Sequence, residues 1–357
     1  MTRLTIQWLL PLLMGSVFFV ACSSGPDADV ADIQLDLPVV RMDSLMLEAA
    51  KSLQADPPMD AFEAYQTHLQ GEQAYWFEFM GLAQLPGAAN LSGPELDSLL
   101  TQELTRSLKE PAMLQLLDTI RQVFPYGYDF SQAIEPPMKR MLLTFGELEL
   151  PEFRTHVSGY VPGGDLRSAD NVVPTPNYFS FGLHYFLGPD YRFYPANISV
   201  YQRKRFVPEY LPALMMHEIA EGMVARPPRD KQPLFLDGIV RAGIKQYFVQ
   251  EMLPSTPDSL LLMYSGAQTE WAAFYEARIY KELIPHLFEG DFQLNREYLS
   301  DKPYTTTLST ESAPRIGEYL GWKIVETYMD RHDEVSLAEL VERTDYELIF
   351  REAKYKP

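Results

Sequence analysis

The chain holds one cysteine, Cys22, and it stands at the end of an apolar leader. Met1-Thr2-Arg3 supplies a positive charge, and Leu4 to Val20 is mostly apolar. Phe19-Val20-Ala21-Cys22 follows, and then the polar run Ser23-Ser24-Gly25-Pro26-Asp27. A charged start, an apolar middle and a small-residue cut site are the parts of a secretory signal. A spanning helix needs about 20 apolar residues, and this run is shorter and contains Pro11. The expected product is therefore an exported body that folds without disulfides, without a cysteine metal site and without a cysteine nucleophile.

The Cys directly after Ala21 resembles a lipobox, in which the thiol is acylated, with palmitate-type chains, before cleavage. Phe19 departs from that pattern, where Leu is commonest. The resemblance implies residues 1–21 as lipoprotein signal, Cys22 as the lipidated residue and the membrane as a partner through that lipid. Two or more acyl chains anchor stably, where one binds only marginally. Ser23, in place of Asp, resembles lipoproteins sent on to the outer membrane; the leaflet face stays open. Residues 22–37 read as an acidic tether and 38–357 as a single body.

Loss of residues 1–21 removes Arg3 and shifts the net charge from −19 by one unit to −20. A surface this acidic excludes nucleic acid as the expected partner and gives no polybasic attraction to anionic lipid. With 46% hydrophobic and 13% aromatic residues, the body has the material for a packed core.

Helical spacing predicts a helix capped by Asp43, a second over 58–80, and a third from Leu96 to Leu108 with Ser92 as cap. Pro111 opens a fourth, and a fifth spans Phe130 to Gly146. The middle of the chain alternates instead. Phe153 to Tyr160 and Tyr178 to Leu187 read as strands, with a turn at Val161-Pro162-Gly163-Gly164-Asp165. Helix returns from Pro208 to Val224, from Phe235 to Met252, from Asp258, from Trp271 to Leu283, and from Ile316 to Arg331. The expected class is α+β: mostly helical, with a small β-sheet.

One helix carries a chemical motif. In Met215-Met216-His217-Glu218-Ile219-Ala220-Glu221-Gly222, His217 and Glu221 lie four apart, on one helix face. An H-E-x-x-H helix binds zinc through its two His, with the Glu as general base. Here Glu221 replaces the second His, and a carboxylate can also ligate zinc. Ala242 stands where such a scaffold would take its further Glu, so two expected ligands are missing together. The reading is a degenerate zincin-like scaffold without its metal. The alternative is a divergent zinc metallopeptidase using His217, Glu218 and Glu221. His68, His156, His184, His286 and His332 are dispersed. His156 and His184 can approach one another if their strands pair. No G-x-S-x-G, P-loop or dinucleotide motif is present.

The C-terminal third carries an ordered series of motifs. Leu236-Asp237-Gly238-Ile239 is followed by Gly243-Ile244-Lys245-Gln246-Tyr247-Phe248 and Leu253-Pro254-Ser255-Thr256-Pro257-Asp258. Gln268-Thr269-Glu270-Trp271 comes next, then Pro314-Arg315-Ile316-Gly317-Glu318-Tyr319-Leu320-Gly321-Trp322, and the chain closes on Lys354-Tyr355-Lys356-Pro357. With Phe186-Leu187-Gly188-Pro189-Asp190-Tyr191 before the central helix, this series resembles the gliding motility lipoprotein family GldB of Bacteroidetes. Arg241-Ala242-Gly243-Ile244 departs from that family's pattern, which puts a carboxylate role there in doubt. The resemblance implies an outer-membrane lipoprotein of the cell envelope. It would support gliding motility, type IX secretion or both through protein partners, without catalysis and without a cofactor. A carbohydrate- or peptide-binding surface, suggested only by the aromatic content, is a third reading.

Three packing expectations complete the picture. Gly317 and Gly321 let another helix approach closely. Arg315, awkward at a helix start for the dipole, pairs with a buried acid, Asp237 or Glu270. Trp271, Phe274, Tyr275 and Tyr280 line the core.

Overall fold

The computed structural model describes residues 30–357 apart from 31, 83–84, 86, 147, 159–170, 176–177, 197 and 229–231. Cys22, its leader, most of the tether and the turn at Val161–Asp165 lie outside the described residues.

Four short strands make one mixed sheet: β1 (Val39–Val40), β2 (Glu152–His156), β3 (Val172–Pro174) and β4 (Tyr178–Gly182), in the order β1-β2-β4-β3. β1 and β4 run parallel to β2, with Val39 opposite Phe153 and Phe153 opposite Phe179. β3 returns antiparallel to β4. Parallel neighbours need a long crossover, and the N-terminal helices supply the one between β1 and β2. Phe153, Phe179 and Phe181 are buried on the sheet, with ring centroids 6.0–6.2 Å apart.

The crossover contains α1 (Met42–Ser52), α2 (Ala61–Ala64), α3 (Gln73–Phe79), α4 (Pro94–Lys109), α5 (Pro111–Val123) and α6 (Ser131–Phe145). Beyond the sheet come α7 (Val200–Arg203), α8 (Leu211–Met223), α9 (Phe235–Met252), α10 (Asp258–Leu261), α11 (Gly266–Phe274) and α12 (Glu276–Leu283). α13 (Phe292–Tyr298), α14 (Ile316–Met329), α15 (Leu337–Glu342) and α16 (Tyr346–Ala353) close the chain. The fold is α+β and mostly helical, as the periodicity implied. Nothing in its topology is specific to the metallopeptidase scaffold suggested by the motif.

α9 and α14 bury most of their apolar residues, Leu236, Ile239, Val240, Phe248, Leu320, Ile324 and Val325 among them, and leave their charged residues to the cleft and the surface. Helices buried on more than one side belong in the middle of a core. Their crossing is set by glycine. A Cβ on Gly243 would come within 2.2 Å of the Gly321 carbonyl, and one on Gly321 within 2.0 Å of the Ile239 carbonyl oxygen. Gly317 faces Tyr298 and Leu299 instead. The close approach expected of this glycine pair is therefore internal packing, divided between two neighbours.

Several local expectations change. The helix over 58–80 is interrupted: a π-turn covers Tyr65–Leu69, and Gln70 and Gly71 take left-handed backbone at φ 52° and 82°. The N-cap position of α4 is Gly93, not Ser92, at φ 55° with Pro94 following. Asp43 lies inside the first turn of α1 rather than capping it; its carboxylate is taken by Arg41 and Thr155. The strand from Tyr178 stops at Gly182 and becomes a 3₁₀ turn over Leu183–Tyr185. Of the four aromatics assigned to the core, Trp271 is buried and Tyr275 and Tyr280 pack partly against it, but Phe274 is 81% exposed. Leu35 and Leu37, in the stretch read as tether, pack against the core.

Candidate functional site

The motif helix α8 packs beside α9, and α13 and the start of α14 close the gap between them. A cleft of about 420 Å³ opens there. His217, Glu218 and Glu221 line it from α8, Arg241, Ala242 and Lys245 from α9, Asn295 from α13 and Glu318 from α14. Sequence spacing alone placed His217 and Glu221 on one face, and both do face this cleft.

What they do there differs from metal ligation. Both Glu221 oxygens accept from basic side chains: Oε1 from Arg241 at 3.0 Å and Arg226 at 3.0 Å, and Oε2 from Lys245 at 2.9 Å and Arg241 at 3.1 Å. Arg241 also donates to the carbonyls of Glu221, Val224 and Ala225. The first two are among the orphan acceptors at the end of α8, where the helix dipole favours a cation. Arg241 and Lys245, one turn apart on α9, thus clamp the end of α8 through its last acidic side chain.

His217 Nε2 lies 2.8 Å from the Leu261 carbonyl oxygen. A carbonyl only accepts, so Nε2 carries the hydrogen and is not a ligand nitrogen. Ala242 presents a methyl where a further carboxylate would be required. Among the described residues, no group of three or more His, Cys, Asp or Glu gathers to hold a metal ion. These residues do not fit a zinc centre, because Glu221 already answers two clamping cations and a zinc ion would compete with both.

Electrostatics follow the geometry. Burial works to raise the Glu221 carboxyl, but the Arg241 hydrogen bonds and the Lys245 charge outweigh it and hold the group at about 2. A carboxyl lowered on folding contributes stability that is present above its unfolded value, near 4.5, and lost as pH falls through the folded value. Glu221→Gln is therefore expected to lower the melting temperature near neutrality and to flatten its fall between about pH 5 and pH 2. A melting series in that window checks this; an unchanged slope in the variant would count against the clamp. The side chain is 39% exposed, so solvent screening keeps the effect modest.

Beside the cleft lies a deeper charge cluster. Arg315 begins α14 with left-handed backbone, φ 47°. Its buried guanidinium meets Asp301 and Glu318 and donates to the Leu262 carbonyl at 2.6 Å. Arg205 reaches the same Asp301 oxygen at 2.9 Å. The acids expected to serve Arg315 are placed elsewhere: Asp237 accepts from the Leu234 N–H at 2.8 Å as the start of α9 is capped, and Glu270 is exposed. The end of α10 and the linker after it hold the two clusters together. Leu261 accepts from His217, Leu262 accepts from Arg315, and Met263 turns left-handed at φ 56°. Sequence reading missed Lys245, Asp301 and this linker. The basic pair Arg241 and Lys245, spaced i,i+4 on a predicted helix, was the available signal.

His156 and His184 do approach, with ring centroids 5.9 Å apart, because β2 pairs with β4. Both are fully buried. His156 Nδ1 is 2.9 Å from Ser180 Oγ, and His184 Nε2 is 3.3 Å from Ser158 Oγ. Tyr75 joins the same group through Ser180 and the Thr155 carbonyl. Buried polar groups of this kind specify strand register.

Compared with known proteins, residues 23–357 match the model of a family described as "Gliding motility protein GldB". No curated protein matches, and no solved structure does.

Proposed function

Because the chain belongs to the GldB family of gliding motility proteins, we propose that it is a lipid-anchored envelope protein that supports gliding motility, type IX secretion or both, through protein partners rather than catalysis. The observation that supports the non-catalytic part is the clamp on Glu221: the motif's carboxylate is committed to Arg241 and Lys245. Among the described residues, no helix is long and apolar enough to cross a membrane. On this reading attachment rests on acylated Cys22, and Ser23 directs the protein to the outer membrane.

Complementation tests each part. A deletion strain is expected to stop spreading, and wild-type protein to restore it. Glu218→Gln is expected to restore it as well, since the reading gives Glu218 no chemical step. Cys22→Ala is expected to leave the membrane fraction and to fail. Normal spreading without the gene would overturn the gliding role. Failure of Glu218→Gln at normal protein level would overturn the non-catalytic part.

A further inference from the structure

Two phenylalanines stand in solvent where one tight turn leads into α13, Phe288 on the turn and Phe292 at the helix start. Phe288 is 57% exposed and Phe292 is 73% exposed, while Leu287 between α12 and the turn is fully buried. Exposed aromatics scattered singly need no explanation. These two are neither scattered nor loosely held.

The turn is fixed by the start of α9. The first two N–H groups of that helix, on Phe235 and Leu236, donate to the carbonyls of Glu289 at 2.9 Å and Leu287 at 2.8 Å. Glu289 N–H donates to the His286 carbonyl at 3.0 Å, and the Glu289 carboxylate meets His286 Nδ1 at 2.8 Å. Asp291 accepts from Gln293 N–H at 2.8 Å and so caps α13. Gly290 lies against Gln232, which a Cβ there would approach to 2.5 Å. A rigid turn that presents two aromatic side chains meets the main requirements of a binding epitope. The anchors are large, and little backbone entropy is left to lose on association.

The turn also adjoins the cleft. Phe292, Asn295 and Leu299 are spaced i, i+3, i+7, on one face of α13 and its last turn. Asn295 and Leu299 line the cleft, so Phe292 carries that face outward as an aromatic lip.

Charge states what can sit on it. From Lys281 to Arg296 the chain has the acids Glu282, Glu289 and Asp291 against the bases Lys281 and Arg296, and Glu297 beyond them is already paired with Lys302, on a protein of net charge −19. Such a surface repels anionic lipid and other acidic proteins and attracts cations. We propose that Phe288 and Phe292 are the anchors of a docking surface for a partner-protein segment that is apolar on one face and basic around it. The proposal rests on the partner-binding reading above and names its surface.

The test is made in vitro, so its failure is separable from a gliding result. The probe is a fluorescent amphipathic peptide of leucine and lysine, titrated into the protein at physiological salt, with a leucine–glutamate peptide as control. The protein is expected to prefer the lysine peptide. Phe288→Ser/Phe292→Ser is expected to weaken that binding by about tenfold or more, as loss of an aromatic anchor does. The double variant keeps every charge, so unspecific attraction to an acidic protein is unchanged. Both side chains are exposed, so the melting temperature is expected to hold, and Phe288→Ser alone provides a second, milder variant. Phe274→Ser, which removes an aromatic that is 81% exposed elsewhere, is expected to bind as wild type. Equal binding by the double variant would overturn the proposal. So would a dimer in light scattering that the double variant loses, which would give the surface to a second copy. Phe-dependent binding to phosphatidylethanolamine–phosphatidylglycerol vesicles would overturn it in favour of the membrane.

Discussion

Gly243→Ala is expected to destabilise the protein by about 3 kcal/mol or more, although alanine is the better helix former by about 1 kcal/mol. The sign reverses because of what the methyl would meet. A Cβ at 243 falls 2.2 Å from the Gly321 carbonyl carbon and oxygen and 2.8 Å from Trp322 N. All three are backbone atoms, and no rotamer change moves them. Relief requires α9 and α14 to separate, which loosens the apolar contacts along both helices at once. Gly222→Ala is the control. It is also helical, on α8, with nothing within 4 Å of its added Cβ, so a gain of up to about 1 kcal/mol is expected. Denaturant unfolding of the two variants settles the point. Equal behaviour would mean that the crossing tolerates a methyl and that the glycines do not set its distance.

Asp301→Ala should be comparably damaging. One Asp301 oxygen serves both Arg205 and Arg315, and all three side chains are almost fully buried. Removing a partner from a buried ion cluster costs about 3–5 kcal/mol, because the remaining charges lose their counter-ion away from water. With an unfolding entropy of about 2.1 cal/mol/K per residue over roughly 330 residues, that is a fall of about 4–7 °C in melting temperature. Replacing Arg315 and Asp301 together by apolar residues should not recover the loss, since Arg205 and Glu318 then stay buried without these partners. Arg315 stands at the left-handed start of α14, so the same variants should disturb the cleft, through Glu318 on α14 and through Leu262, which follows the Leu261 bonded to His217. Additive losses in the double-mutant cycle would show that the two residues act independently.

Long amphipathic or wholly apolar segments were legible from spacing. α9 begins at Phe235 and ends at Met252, the bounds that periodicity and Pro254 implied. α5 also opens at Pro111 as expected, and α6 falls within a residue of its predicted ends. Here one local pattern and one stop signal decide the element. The helix over 58–80 failed where backbone geometry overrides the apolar pattern: Gln70 and Gly71 break it in left-handed conformations that spacing does not encode. α13, α15 and α16 escaped notice because each is short and leans on the α9–α14 core for its stability. Phe274 was misplaced for a related reason. Its neighbours Trp271 and Tyr275 point inward or along the surface, and helical phase at the α11–α12 junction turns it out.

At the site, composition and motif chemistry established which side chains share a face of α8. They did not establish what those side chains face. Glu221 could be a ligand or an ion-pair partner on local grounds alone, since a carboxylate serves either a metal or a guanidinium. The decision belonged to α9, which brings Arg241 and Lys245 onto both oxygens. Arg315 shows the same division. That it needed a buried acid followed from its place at a helix start. That the acid is Asp301 depended on a loop folding back across the end of α13. The sequence by itself determined the helix-rich class, the acidic surface, the family and the i,i+4 motif face, because these depend on residue type and short-range spacing. Only the tertiary structure decided the pairing of charges, the glycine crossing and the presentation of Phe288 and Phe292. Those depend on distances between segments far apart in the chain, which local spacing does not specify.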